Sequence, residues 1–276
     1  MHLYETHLPV SDTEKSRKFY VDIVGLEFAY RDPTRDIVFL WIGPDRASML
    51  GLWGPTTTRG HDPHPCHFAM ALPMPDLLLA GKRLNSRGVS TRNFAGEETT
   101  EPSVIGWMPS AQLYFRDPDG HSVEFITLLD DTPDPSFLGA LSAWQKRTGI
   151  GCSASKSIPL QGIEEIVFEV KDLDRSVAFY QNTLGLSLHA RGPQEAWFRV
   201  GKQWLALFTP DRIGSGQHFA FLIPPQDAER ARCALAAEGF PEETRQSDDG
   251  FSVYVRDPDG NKIELYAKRA SKKHSA

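Results

Sequence analysis

Two glutamates stand in strand-like runs whose neighbours are all apolar. Glu124 lies between Val123 and Phe125, and Glu264 between Ile263 and Leu265. Strand alternation turns each one to the face opposite those apolar neighbours. In a cupped sheet that is the interior face. A carboxylate buried there alone would cost several kcal/mol, so it calls for a metal ion, a cationic partner or water. Tyr114 and Tyr254 each precede the glutamate by ten residues, across a hairpin. Their phenols can donate to an oxygen held in the cup, or be buried with the hydroxyl bonded to backbone. Two histidines head apolar strands of one pattern, Cys66-His67-Phe68-Ala69-Met70 and Gln217-His218-Phe219-Ala220-Phe221. His61 and His64 extend the first into a His-x2-His-x2-His run, but Pro63 and Pro65 break any regular face, which assigns both to a loop.

The elements that must carry these groups are repeated. The hairpin Leu113–Glu124 recurs as Val253–Glu264, each built on Arg-Asp-Pro-Asp-Gly. Proline at the second turn position presets φ, and glycine relieves the steric strain of the turn. Upstream, Val10-Ser11-Asp12, Phe19-Tyr20 and Gly25-Leu26 recur as Val170-Lys171-Asp172, Phe179-Tyr180 and Gly185-Leu186. The upstream segments are offset by 160 residues and the hairpins by 140, so the halves differ in loop length. Repetition on this scale organises the whole chain.

Within each half the hydrophobic periods read β-α-β-β-β, twice over. Strand Leu3–Val10 leads to a helix capped by Ser11 or Asp12 and reaching Val24. Strands are expected near 27–30, 37–42, 48–53 and 66–72, a second helix from Pro75 to Gly88, and the hairpin last. The second half repeats this with strand Glu165–Val170, helix Asp172–Thr183 and a helix from Gln226 to Glu238. Between the halves, Asp134-Pro135 resembles an N-cap and first-turn proline before a linking helix over Phe137–Arg147. Gly149–Ser157 is Gly/Ser-rich and reads as a flexible connection. The fold class is therefore α+β, with domains at 1–130 and 160–268, a linker at 131–159 and a tail at 269–276.

Composition narrows the function. The 276 residues suffice for two domains with their own cores. A net charge of −6 argues against a nucleic-acid or anionic-membrane surface. Lys268, Arg269, Lys272 and Lys273 form a solvated tail. No apolar stretch approaches the ~20 residues of a membrane span, and the first residues lack a signal peptide's features. Cys66, Cys152 and Cys233, odd in number and widely spaced, read as free thiols of a reducing, cytoplasmic compartment.

The β-α-β-β-β order, the Asp-x6-Phe-Tyr-x4-Gly-Leu helix and the Asp-Pro-Asp-Gly-x3-Glu hairpin together resemble the vicinal oxygen chelate superfamily. This superfamily holds glyoxalase I, bleomycin-binding proteins and extradiol dioxygenases. The resemblance covers both halves apart from linker and tail. It implies four β-α-β-β-β units forming two tandem barrels, each able to hold a divalent metal. Placed position by position, the implied ligands are Glu5, His67 and Glu124 in one half and Glu165, His218 and Glu264 in the other. The family's fourth ligand position falls in Ser48–Trp53 and Trp204–Phe208, which offer no carboxylate, imidazole or amide at their centres. One imidazole with two carboxylates suits Fe, Mn, Ni, Co or Zn. Each half is expected to pair its own two units, because a short loop joins them.

His7 stands two residues after Glu5 on the same strand face. It is a candidate alternative ligand or acid–base group, and with Tyr114 and Tyr254 completes the candidate catalytic residues. Trp41, Trp53, Trp197 and Trp204 lie on inner strands, as pocket lining or as plain core. The resemblance implies an enzyme that chelates neighbouring oxygens of a small organic substrate, with glyoxalase-like lyase or isomerase chemistry first. Ring-cleaving dioxygenation is second, since the family's His before Tyr254 is missing from Gln246–Ser252. A drug-sequestering protein without catalysis is third. The expected partner is a small molecule, and a homodimer is compatible with it.

Overall fold

The computed structural model describes residues 2–57, 64–148, 162–209, 218–240, 243–247 and 250–269. His61, Cys152, the Gly149–Ser157 stretch and the tail beyond Arg269 lie outside the described residues. Among the described residues, no helix is long and apolar enough to cross a membrane.

Four modules follow one another. The first holds β1 (His2–Pro9), α1 (Thr13–Lys18), β2 (Glu27–Arg31), β3 (Ile37–Ile42) and β4 (Ser48–Trp53). The second holds β5 (His67–Ala71), α2 (Met74–Asn85), β6 (Thr91–Arg92), β7 (Ser103–Ile105), β8 (Ser110–Arg116) and β9 (Ser122–Leu128). After β10 (Leu138–Ala140) and α3 (Leu141–Thr148), the third module holds β11 (Gly162–Glu169), α4 (Leu173–Ala178), β12 (Ser187–Arg191), β13 (Glu195–Val200) and β14 (Gln203–Phe208). The fourth holds β15 (His218–Leu222), α5 (Ala228–Ala237), β16 (Glu243–Gln246), β17 (Gly250–Arg256) and β18 (Lys262–Lys268). The α+β, strand-rich architecture expected from the sequence is thus present.

Local chemistry explains the repeated motifs. The Asp12 side chain caps α1 by accepting from the amides of Glu14 and Lys15, and Asp172 accepts from Arg175 N; such caps satisfy orphan donors. Both helices then widen into π turns, at Phe19–Val24 and Phe179–Thr183. The expected single helix is therefore an α segment followed by a π segment. Gly25 ends the first at φ 98°, a left-handed position that suits glycine. The tyrosine of each π turn reaches the distant hairpin. Tyr20 Oη donates to Asp117 Oδ2 at 2.9 Å, and Tyr180 Oη to Asp257 Oδ2 at 3.1 Å. Each aspartate's Oδ1 also accepts two turn amides, from Asp119 and His121 or from Asp259 and Asn261. The Phe-Tyr and Asp-Pro-Asp-Gly signatures recur together because they are bonded to each other.

The chain divides into two compact units, residues 1–7 with 165–276, and residues 8–164. In the first, β15 lies between β1 and β18, antiparallel to β1 and parallel to β18, with β17 and β16 beyond. A second ladder there runs β11, β14, β13, β12. Phe168, Phe219 and Phe221 pack at 4.6 and 4.8 Å between ring centres. In the second unit, β9 lies between β5 and β8, with β7 and β10 beyond, and β2, β3 and β4 form a meander. Helix α2 buries Leu77, Ala80 and Leu84, and fully buried Phe115 and Phe125 pack at 4.9 Å. Each fully buried phenylalanine contributes about 1.5–3 kcal/mol.

Two expectations need correction. Each half was expected to pair its own modules, but β1 of the first module pairs with β15 of the fourth, placing His7 opposite His218. The loop argument fails because short connections constrain distance and not partner: two near-identical modules present equally suitable strand edges. The expected helix over Phe137–Arg147 begins later, at Leu141, because Leu138–Ala140 instead pairs with Ser103–Ile105. Leu141 and Trp144 are buried, and Trp144 Nε1 donates to Asp131 Oδ2 at 2.7 Å. The described part of the linker, through Thr148, is integral to its unit.

Candidate metal centres

In the second unit, parallel pairing of β5 with β9 sets Ala69 opposite Glu124 and His67 opposite Ser122. His67 Nε2 then lies 3.1 Å from Glu124 Oε2, with side-chain exposures of 21% and 3%. Tyr114 faces Glu124 across the β8–β9 ladder, and its ring centre is 6.0 Å from that of His67. A buried histidine holds the start of β5. His121 Nδ1 accepts from Cys66 N at 3.0 Å while its Nε2 faces Pro9 O at 2.7 Å. Nδ1 accepts, so the proton sits on Nε2 and the ring is neutral. His67 is the next residue along. His67 and Glu124 thus form a candidate metal-binding pair.

In the first unit, β15 and β18 repeat the geometry: His218 Nε2 lies 3.1 Å from Glu264 Oε2, with exposures of 5% and 10%. The other carboxylate oxygen, Oε1, accepts from Ser252 Oγ at 2.5 Å. Tyr254 stands opposite Glu264 in the ladder. Burial first, then the charge of Glu5, push the Glu264 carboxyl up to about 7. Burial first, then the charge of Glu264, push the Tyr254 phenol up to about 12. It is therefore a protonated hydrogen-bond donor at neutral pH.

The third residue of this site behaves differently. Glu5 Oε1 lies 2.6 Å from His7 Nε2, and His7 Nδ1 lies 3.0 Å from His218 Nδ1. Glu5 therefore belongs with His218 and Glu264, and not with His67 and Glu124 as expected. Glu165 stands on β11 opposite Trp204. The correction at Glu5 follows from the strand exchange at β1. Glu5, His7, Glu165, His218, Glu264 and Glu124 nevertheless all sit at inner strand positions, and all but Glu5 are buried. Trp204 and Trp197 are buried core residues, and Trp41 and Trp53 are half-buried.

Sequence reasoning passed over Ser252 and His121. The signal was available by aligning the hairpins, where Ser252 faces Gln112 and His121 faces Asn261. Asn261 turns its Nδ2 to its own turn, donating to Asp257 Oδ2 at 2.9 Å.

A family model described as the Glyoxalase/Bleomycin resistance protein/Dioxygenase superfamily matches residues 2–125 and 162–265. The glutathione transferase FosA of Serratia marcescens is 32% identical over 114 residues, covering 39% of this chain and 81% of that protein. The metallothiol transferase FosB of Lysinibacillus sphaericus is 34% identical over 116 residues, covering 39% and 82%. Glyoxalase I from Zea mays shares the fold, with a TM-score of 0.60 at 17% identity over 96% of this chain and 92% of that one.

Proposed function

This chain belongs to the Glyoxalase/Bleomycin resistance protein/Dioxygenase superfamily, and from that premise we propose that it is a metal-dependent enzyme acting on a small substrate with neighbouring oxygens. The observation that carries this reading is the histidine–glutamate pair at 3.1 Å, recurring in both units. Imidazole and carboxylate suit the borderline-to-hard divalent metals Fe, Mn, Ni, Co and Zn. His67 with Glu124, and His218 with Glu264, are the groups that would hold the ion.

When bound, such a metal acts as a Lewis acid toward the substrate's paired oxygens. The remaining work falls to the protein. Ser252 fixes the rotamer of Glu264 through Oε1, leaving Oε2 directed at His218. Tyr254, held as a phenol, can donate a proton-bearing contact but cannot serve as a base at neutral pH. A carboxylate adjoining the metal is the candidate base for removing a proton next to a carbonyl, a glyoxalase-like lyase or isomerase step. Protein purified without a His tag should contain divalent metal. With redox-silent Zn or Ni it should place solvent deuterium next to a substrate carbonyl without consuming O2. Metal-free protein that binds an aromatic ligand tightly and turns nothing over would instead favour sequestration. Oxygen consumption with a diol substrate would favour dioxygenation.

A second reading, thiol transfer, is favoured by identities of 32% and 34% to proteins described as glutathione and metallothiol transferases. Metal-dependent loss of free thiol with an electrophilic co-substrate, without deuterium exchange, would select it.

A further inference from the structure

Beside the His67–Glu124 pair, ring contacts lead out to an exposed aromatic side chain. The rings of His67 and Tyr114 lie 6.0 Å apart, and the ring of Phe94 meets Tyr114 edge-on at 6.3 Å. Phe94 is 52% exposed. Its turn is closed by hydrogen bonds on both sides. Asn93 N donates to Glu97 O at 3.0 Å, and Asn93 Oδ1 accepts from Glu97 N at 3.0 Å. Phe94 N itself donates to Ser103 Oγ at 3.1 Å. A fixed turn thus holds an apolar ring against Tyr114 with half its surface in water, where a ligand that covers it gains by burial.

The other copy of the repeat lacks this group. Gly88 and Gly239 mark equivalent points after α2 and α5, at φ 80° and 82°, and Val89 N and Phe240 N donate to Leu84 O and Leu235 O. Tyr114 follows Gly88 by 26 residues, whereas Tyr254 follows Gly239 by 15. The longer connection carries Phe94 and β7, and residues 241–250 of the shorter one contain no aromatic residue. Tyr254 keeps the 6.0 Å step to His218, but Lys262 Nζ lies 4.0 Å from its ring centre. Ser122 stands at the position matching Lys262. An ammonium beside one tyrosine and a phenyl ring beside the other select different substituents.

Resting on the metal-dependent reading above, we propose that Phe94 is a specificity-determining residue of the His67–Glu124 site, which takes a small chelating substrate with a flat aromatic substituent next to its paired oxygens. The oxygens belong at His67 and Glu124, and the substituent lies against Tyr114 and Phe94. Aromatic pairs at such ring separations add to simple area burial, so the gain is specific to a ring.

The test uses the full chain carrying His218→Ala, loaded with Zn(II), so that binding reports on the His67 site. Mandelate and lactate are the probes: they offer the same hydroxyl and carboxylate oxygens and differ in a phenyl against a methyl group. Phe94→Ala should weaken mandelate binding roughly 3–10-fold, the range set by loss of one aromatic pair, and leave lactate unchanged. Phe94→Trp should keep the preference for mandelate. Equal losses for both acids would show that Phe94 shapes the site without touching the substituent, and unchanged mandelate binding would show no contact at all; either overturns the proposal. Zn(II) held with neither acid bound would overturn it too, while leaving the metal reading in place. A parent that holds no Zn(II) sinks the metal reading, and the proposal then rests on metal-free protein. There the ring resonances of Phe94 should shift with mandelate and not with lactate, and no shift with mandelate would overturn it.

Discussion

The two histidine–glutamate pairs are equal in length, 3.1 Å each, yet their surroundings differ at three positions. His67 is partly open at 21% exposure, while His218 is closed in at 5%. Ser252 bonds Glu264, whereas Gln112 at the matching place turns Nε2 to Ser110 Oγ at 2.5 Å. His7 ties Glu5 to His218, and Val167 can tie nothing. Duplication preserved the pair that would bind a metal and varied what surrounds it. The lesson is that repeated ligands do not imply repeated surroundings, since the strand position two residues away is His7 in one copy, in contact with Glu5, and Val167 in the other.

The comparison is easiest to break at the ligands. His67→Ala should weaken metal binding in its site by more than about 100-fold, beyond the loss typical of outer hydrogen-bond partners. It should leave the His218–Glu264 site loaded, and His218→Ala should do the reverse. Metal analysis of each variant decides this. Loss of both ions from either substitution would mean that the sites are not separate.

A second contrast is in pH. Burial raises the Glu264 carboxyl from an ordinary 4.5 to about 7, so the folded state holds this proton more tightly than the unfolded chain does. The sign follows by linkage: in metal-free protein, stability from this group declines as pH rises from 4.5 towards 7. Glu264→Gln should flatten that decline in urea denaturation series run with chelator. An unchanged slope would show that the carboxyl does not carry its proton into the fold.

Smaller effects should separate the two tyrosine–aspartate locks. Asp257 Oδ2 accepts from Asn261 Nδ2 as well as from Tyr180, whereas the ring of His121 is engaged with Cys66 and Pro9. Removing the donor to a buried carboxyl costs about 1–3 kcal/mol. Tyr20→Phe should therefore destabilise more than Tyr180→Phe, read as midpoints in urea. Equal losses would show that Asn261 offers no compensation.

Much of this was legible in the sequence because it is local. Asp12 and Asp172 as caps, the Asp-Pro-Asp-Gly turns and the ten-residue step from Tyr114 to Glu124 each depend on residues within one hairpin or helix. The inner face of Glu124 and Glu264 followed from alternation, whereas Glu5, His67, Glu165 and His218 came from the family resemblance. Pairing between modules was not legible. Near-identical strands offer the same pattern to either partner, so nothing in residues 2–9 distinguishes β15 from the expected β5. Ligand grouping inherited that ambiguity. The tie between Glu5 and His7 was half visible, as two groups on one strand face. Its consequence required His218, more than 200 residues away.

The most direct measurement is anomalous diffraction from crystals grown with Co(II), recorded at the cobalt edge. The account expects one peak between His218 Nε2 and Glu264, with Glu5 turned to His7, and another beside His67 and Glu124. A metal held by Glu5 together with His67 and Glu124 would contradict it, as would crystals in which neither pair carries a peak.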